Sequence, residues 1–148
     1  RDSPYFVPDD AVIASLRAAA LRGVDVRIVV PDKSDNPFVD LAALWYIDVL
    51  KETNIRFFRY EAGFLHTKTA LVDDSLSVVG TVNWDSRSFR LNFEVNAIIE
   101  DEALGDQMTE MFLKDFARSR EMEADELDRK GFVYQLAVKV CRLLSPVL

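Results

Sequence analysis

An α/β fold with a mixed sheet is what this 148-residue sequence predicts, on three observations. Up to Tyr60, segments with helical apolar spacing alternate with short runs of β-branched and aromatic residues. Two further short runs flank Asp73-Asp74-Ser75, which reads as a hairpin turn and so implies antiparallel pairing. One more strand-like run follows before the chain becomes helical. Alternating helices and strands favour parallel neighbours and the hairpin adds antiparallel ones, hence an α/β sandwich with a mixed central sheet.

Element by element, Tyr5-Phe6-Val7 is strand-like, and Pro8-Asp9-Asp10 supplies a helix start with an acid at the cap and another in the first turn. Val12, Ile13, Leu16, Ala19 and Ala20 recur at helical spacing until Gly23 ends the segment. Val24 to Val30 reads as a strand stopped by Pro31, and the stretch from Pro31 to Pro37 as a polar loop. A second helix is expected from about Pro37 to Glu52, with Phe38, Leu41, Leu44 and Trp45 on one face. Ile55 to Tyr60, Thr67 to Val72, Leu76 to Val79 and Phe93 to Ile99 read as strands. Leu104, Met108, Met111, Phe112 and Phe116 make one helical stripe; residues 118–130, dense in charge, read as a solvated helix; the tail from Phe132 to Leu148 is apolar with Lys139 and Arg142 set into it. No repeat or flexible linker divides the chain, so a single domain over 1–148 is expected, with a helical tail from about 118 to 148.

Composition narrows the function classes. A hydrophobic share of 49% with mean hydropathy near zero reads as globular, and no apolar run reaches the ~18 residues of a spanning helix. A net charge of −7 argues against broad nucleic-acid binding, which draws on many Lys and Arg contacts to phosphates. One cysteine, Cys141, excludes an internal disulfide and reads as a core residue; with one histidine it also argues against a Cys/His zinc site. No signal-peptide pattern opens the chain, and the abrupt start at Arg1 predicts a piece of a longer protein.

The only histidine lies in His66-Thr67-Lys68. In extended chain, residues two apart face one side, so imidazole and ammonium project together. That pair suits work on a phosphate: the imidazole attacks or moves a proton while the ammonium neutralises charge on the non-bridging oxygens. Asp73 begins the hairpin turn, where holding the turn or pairing with a cation is the stronger reading and direct chemistry the weaker one. Gly80-Thr81-Val82-Asn83 follows the next strand. There Gly80 permits close backbone approach, and the Thr81 hydroxyl and Asn83 amide can donate to a phosphate oxygen. Glu94 is available to orient a histidine. Each feature alone is ordinary; the combination is not.

His66-x-Lys68-x4-Asp73-x6-Gly80-x2-Asn83 resembles, without a gap, the HKD signature of the phospholipase D superfamily. The continuation from Trp84 to Asn96 contains N-x-D-x-R-S-x-x-L-N-x-E, which is similar to the second HKD half of bacterial cardiolipin synthases. The resemblance covers nearly the whole chain, from Pro4-Tyr5-Phe6-Val7-Pro8-Asp9 through Gly23 to Ile28 and on to the closing Arg142 to Leu148.

The resemblance implies a phospholipase-D-like α/β/α sandwich carrying one HKD half. In this superfamily two such motifs meet, one histidine forming a phosphohistidine and the other protonating the departing alcohol and then activating the incoming one. It implies no metal and no cofactor. By position His66 is the expected general acid/base, or in a symmetric pair of copies either His66 is the nucleophile, with Lys68, Asn83 and Thr81 as phosphate ligands, Glu94 orienting His66, and Arg87, Ser88 and Asn92 shaping the loop. The implied reaction moves a phosphatidyl group between two phosphatidylglycerol molecules and releases glycerol. The implied partners are phospholipid, a membrane surface, and a second HKD half from the same full-length chain or from a homodimer partner, with no nucleic acid. The implied place is the bacterial cytoplasmic membrane, reached peripherally or through segments absent from this chain. Rival readings are an HKD phosphodiesterase or nuclease, a hydrolytic phospholipase D, and an inactive half-domain. Phe132, Leu136, Val140, Leu143 and Leu144 form a candidate membrane face, against the plainer reading of a tail helix docked on the core. Phe64 and Leu65 are candidates for an acyl-chain entrance, or ordinary strand residues.

Overall fold

A computed structural model describes residues 6–32, 36–85, 88–89 and 91–144. The expectations placed on residues 1–5, on Arg87 and on the closing Ser145 to Leu148 lie outside the described residues, as does the Leu144 side chain. Twelve elements are described: β1 (Phe6–Val7), α1 (Asp10–Leu21), β2 (Arg27–Pro31), α2 (Pro37–Leu50), β3 (Arg56–Tyr60), β4 (Thr69–Val72), β5 (Leu76–Gly80), β6 (Trp84–Asp85), β7 (Asn96–Glu100), α3 (Glu102–Ala117), β8 (Ser119–Glu121) and α4 (Phe132–Leu144).

Helix starts follow local chemistry. Asp9 caps α1 by accepting from the Val12 N–H at 3.0 Å, Asn36 caps α2 with Pro37 just inside, and Asp101 caps α3 by accepting from Leu104 N–H at 2.7 Å. β2 and β3 pair in parallel through the α2 crossover, with Ile28 opposite Phe57 and Val29 opposite Phe58. Their side chains alternate between two cores. Ile28, Val30 and Phe57 join Phe6, Ala20, Val39, Ala42, Tyr46, Ile47, Leu50 and Cys141 under α1, α2 and α4. On the other face Val29, Phe58 and Leu65 pack with Tyr60 and Phe116 of α3. Helices therefore cover both faces of the parallel pair, the usual condition of parallel strands, and the expected α/β/α layering is present. Cys141 is a buried, free core cysteine.

The sheet is mixed, and among the described residues it runs as three hydrogen-bonded pieces: β1-β6, β2-β3-β8 and β4-β5-β7. β4 and β5 form the expected hairpin, with Asp73 and Asp74 both at positive φ (49° and 57°) and Ser75 N–H donating to Val72 O at 3.3 Å. This is the turn geometry whose twist matches paired strands. The N-terminus of α3 clamps that turn: Asp101 N–H donates to Ser75 O at 3.0 Å, and Gly105 lies so close to the Asp74 carbonyl that a Cβ there would collide with it. α3 can approach the hairpin because it presents glycine at that point.

Three expectations need correction. Residues 118–130 are not a helix: Ser119–Glu121 form β8, antiparallel to β3 with Phe58 opposite Glu121, and turns follow. The free edge of β3 offered backbone partners to a segment with little apolar periodicity of its own. The charges then cross-link the turns, Arg120 with Glu126 and Arg129 with Asp125 and Glu123. The strand expected from Phe93 to Ile99 begins at Asn96, so Glu94 precedes it. Leu65 is buried in the second core and is no entrance residue, whereas its neighbour Phe64 is exposed.

Candidate active site

The candidate residues arise at the ends of three adjacent pieces of chain. His66 and Lys68 lie in the extended stretch just before β4, where Gly80 N–H donates to Lys68 O at 3.2 Å and lengthens the hairpin ladder by one bond. Two-residue spacing puts both side chains on one side, and Lys68 Nζ stands 3.3 Å and 3.4 Å from the two ring nitrogens of His66. Phe64 stacks on the imidazole with centroids 5.5 Å apart and planes 13° from parallel, which limits ring rotation. Buried Leu65 anchors the stretch between the two rings.

The second piece is the loop between β5 and β6. Gly80 stands where a Cβ would collide with the Val95 carbonyl and the Asn96 side chain, so the close approach expected of it is real. Thr81 then ties to the third piece, its N–H donating to Val95 O at 2.9 Å and its hydroxyl accepting from Val95 N–H at 3.0 Å. Downstream, β6 pairs in parallel with β1, Phe6 opposite Trp84, and their rings stack at 6.0 Å. Asn83 is held between these two anchors. Its side-chain oxygen is buried and has no partner among the described residues.

Glu94, in the third piece, accepts from the Asn92 amide at 3.3 Å. Hydrogen bonding from Thr81, then from Asn92, together with the Lys68 charge, holds its carboxyl below the ordinary value of 4.5. Partial burial pulls the Lys68 ammonium below its usual range, opposed by the carboxylates of Glu94 and Asp85. The structure therefore brings Glu94 towards Lys68 and Thr81. Asp85, to which the sequence reading assigned no role, accepts from Ser88 N–H at 2.6 Å and adds its charge to the field at Lys68. Its signal was its place two residues after Asn83 in the quoted motif. Asp73 is set apart. It is exposed in the hairpin turn at the far end of β4, about 16 Å along the strand from Lys68 at the usual rise per residue.

The site is open. His66 and Thr81 are exposed, and Lys68, Asn83 and Glu94 are half-buried. The His66 ring and the Lys68 ammonium meet on an exposed surface, with Glu94 within electrostatic reach of Lys68 and Thr81 bonded to Glu94, a set that suits a phosphate ester.

Comparison with known proteins identifies the family and the fold. Residues 2–116 match the family model described as cardiolipin synthase, PLD-like domain. Cardiolipin synthase A of Pseudomonas putida is 44% identical over 146 residues, covering 99% of this chain and 30% of that protein. Cardiolipin synthase 2 of Staphylococcus epidermidis is 43% identical over the same span, with the same shares covered. The chain thus spans 30% of the length of these curated relatives. Among solved structures, phosphatidylserine synthase of Haemophilus influenzae superposes with a TM-score of 0.76 at 19% identity, covering 99% of this chain and 41% of that one. Nuc, a phospholipase D family member from Salmonella typhimurium, gives 0.71 at 21% identity, covering 82% and 79%. The two structures share the fold, and the match of sequence to the family model extends over most of the chain. With the HKD spacing intact and His66 and Lys68 side by side on an exposed surface, the chain belongs to the cardiolipin synthase, PLD-like domain family.

Proposed function

We propose that this chain supplies the acid/base half of a phosphatidyltransferase of the cardiolipin synthase type. The observation that carries the reading is the placement of Lys68 Nζ within 3.4 Å of both His66 ring nitrogens on an exposed surface. In this reading the histidine of a second HKD half attacks the phosphorus of one phosphatidylglycerol. His66 gives its proton to the departing glycerol oxygen as the P–O bond breaks. His66 then takes the proton from a hydroxyl of a second phosphatidylglycerol, whose oxygen displaces the phosphohistidine and restores the first imidazole. Two phosphatidylglycerols become cardiolipin and glycerol. Lys68, Thr81 and Asn83 hold the phosphate oxygens, Glu94 maintains the charge and orientation around His66 and Lys68, and Asp73 keeps the hairpin in register.

The openness of the site supports a requirement for the second half, from the full-length chain or from a homodimer partner. Transfer outruns hydrolysis only when water is excluded, and one exposed wall cannot exclude it. The reaction is proposed to take place at the bacterial cytoplasmic membrane with neither metal nor cofactor. The test incubates the complete natural protein containing this chain with phosphatidylglycerol, and separately with DNA. Cardiolipin and glycerol in equal amounts, unaffected by EDTA, are expected. DNA cleavage without lipid product would replace the reading with a nuclease, and phosphatidic acid without cardiolipin would replace it with a hydrolase.

A further inference from the structure

α4 carries an apolar face that the fold does not use. Its inner side is occupied: Val138 and Cys141 are buried, and the Arg142 guanidinium lies 4.6 Å from the centroid of the Trp45 ring on α2. With the inner side fixed, helical spacing turns Phe132, Leu136, Val140 and Leu143 outward on one stripe beside Val133. All five are exposed, Phe132 and Val133 by 79% and Leu143 by 69%. On the other helices the large exposed apolar residues are single ones: Leu21, Phe38 and Leu113.

Charge identifies the occupant. The chain has a net charge of −7, yet α4 has no acid; Lys139 borders the outer apolar stripe by helical spacing, while Arg142 stays with the inner side against Trp45. The acids that precede it are already paired, Glu123 and Asp125 with Arg129, Glu126 with Arg120, and Asp128 with Lys51. Another run of exposed apolar residues, Leu91, Phe93, Val95, Ile98 and Ile99, is interspersed with and followed by Glu94, Glu100, Asp101 and Glu102, which repel an anionic surface. A helix lying in a lipid interface combines a wide apolar face with basic rather than acidic flanks, and among the described helices α4, with Lys139 at the edge of its stripe and no acid, fits that pattern where the others carry acids.

The structure assigns the outer face of α4 as the docking surface of this chain on an anionic phospholipid bilayer. The assignment rests on the phosphatidyltransferase reading for its sense, since an enzyme of bilayer lipids must sit on a bilayer, but its test is separate. The 148-residue chain is floated with vesicles of equimolar phosphatidylglycerol and phosphatidylcholine, and with pure phosphatidylcholine. Binding is expected to the first and to be weaker to the second. The double variant Leu136→Glu/Val140→Glu, with an unchanged melting curve, is expected to lose binding by about tenfold or more. Lys139→Glu, a mild surface change, should lose about fivefold or more on the anionic vesicles and little on the neutral ones. Double-variant binding within about twofold of the parent overturns the assignment. So does a parent chain that ignores vesicles and instead forms a dimer which the double variant dissolves, because the face then binds a second copy. Turnover of dispersed short-chain phosphatidylglycerol by the complete protein separates the two readings. Its absence with vesicle binding intact sinks only the transferase, and its presence with binding lost sinks only the docking face.

Discussion

The two strand systems of this protein are built for different ends. β2 and β3 are enclosed: Ile28, Val29, Val30, Phe57 and Phe58 are all buried, and helices cover both faces. β4, β5 and β7 are uncovered by comparison. All five residues of β7 are exposed, β4 has no buried residue, and β5 has one, Ser77. Burial of the first system supplies the stability, since apolar area removed from water is the main favourable term in folding. The second system holds its shape through backbone ladders, the α3 clamp on the turn and the Thr81–Val95 bonds. The candidate site sits at the open end of this second system, where reacting groups must meet a substrate.

That division can be broken by experiment. The largest effect is expected at His66: His66→Asn should lower turnover of any active assembly by about 10²–10⁴-fold while leaving the melting temperature unchanged, and retained turnover would remove His66 from its role. Next comes the contrast between the two systems. Phe57→Ala should cost about 3–5 kcal/mol in urea unfolding, whereas Ile98→Ser on β7 should stay within about 0.5 kcal/mol. A comparable loss at both positions would end the comparison. Third, Asp73→Val should destabilise by about 1–2 kcal/mol because a branched side chain resists positive φ, while Asp73→Asn, which tolerates that conformation, should leave both stability and turnover near the parent's. A collapse of turnover in Asp73→Asn with the fold intact would return Asp73 to the chemistry.

The smallest effect is a pH dependence. The folded protein holds the Glu94 carboxyl below 4.5, mainly through Thr81. Its contribution is therefore fully present above that value and is lost as pH falls through the depressed folded value. The parent minus Glu94→Gln difference in urea midpoint should be largest at neutral pH and shrink in acid. A difference independent of pH would show that the carboxylate charge is not what matters.

Much of this was legible along the chain. Asp9, Pro37 and Gly23 mark helix ends by local chemistry, and the continuous apolar runs Ile28-Val29-Val30 and Phe57-Phe58 are those of strands with two covered faces. The HKD spacing marked His66, Lys68 and Asn83. The segment 118–130 was misread because its charge pattern has no partner in sequence: Ser119–Glu121 became a strand only because the edge of β3 was free to pair with it. Leu65 and Phe64 illustrate the same point on a finer scale, adjacent apolar residues of which one is buried and the other stacks on His66.

By itself, then, the sequence determined the α/β class, the helix ends and the residue types of the candidate site, because caps, periodicity and motif spacing act over a few neighbours. Tertiary structure alone decided the strand that β8 became, the separation of Asp73 from the reacting groups, the approach of Asp85 and Glu94 to Lys68, and the side of α4 that faces out. Each of those depends on which distant surface is available to pack or pair, and no local spacing encodes that.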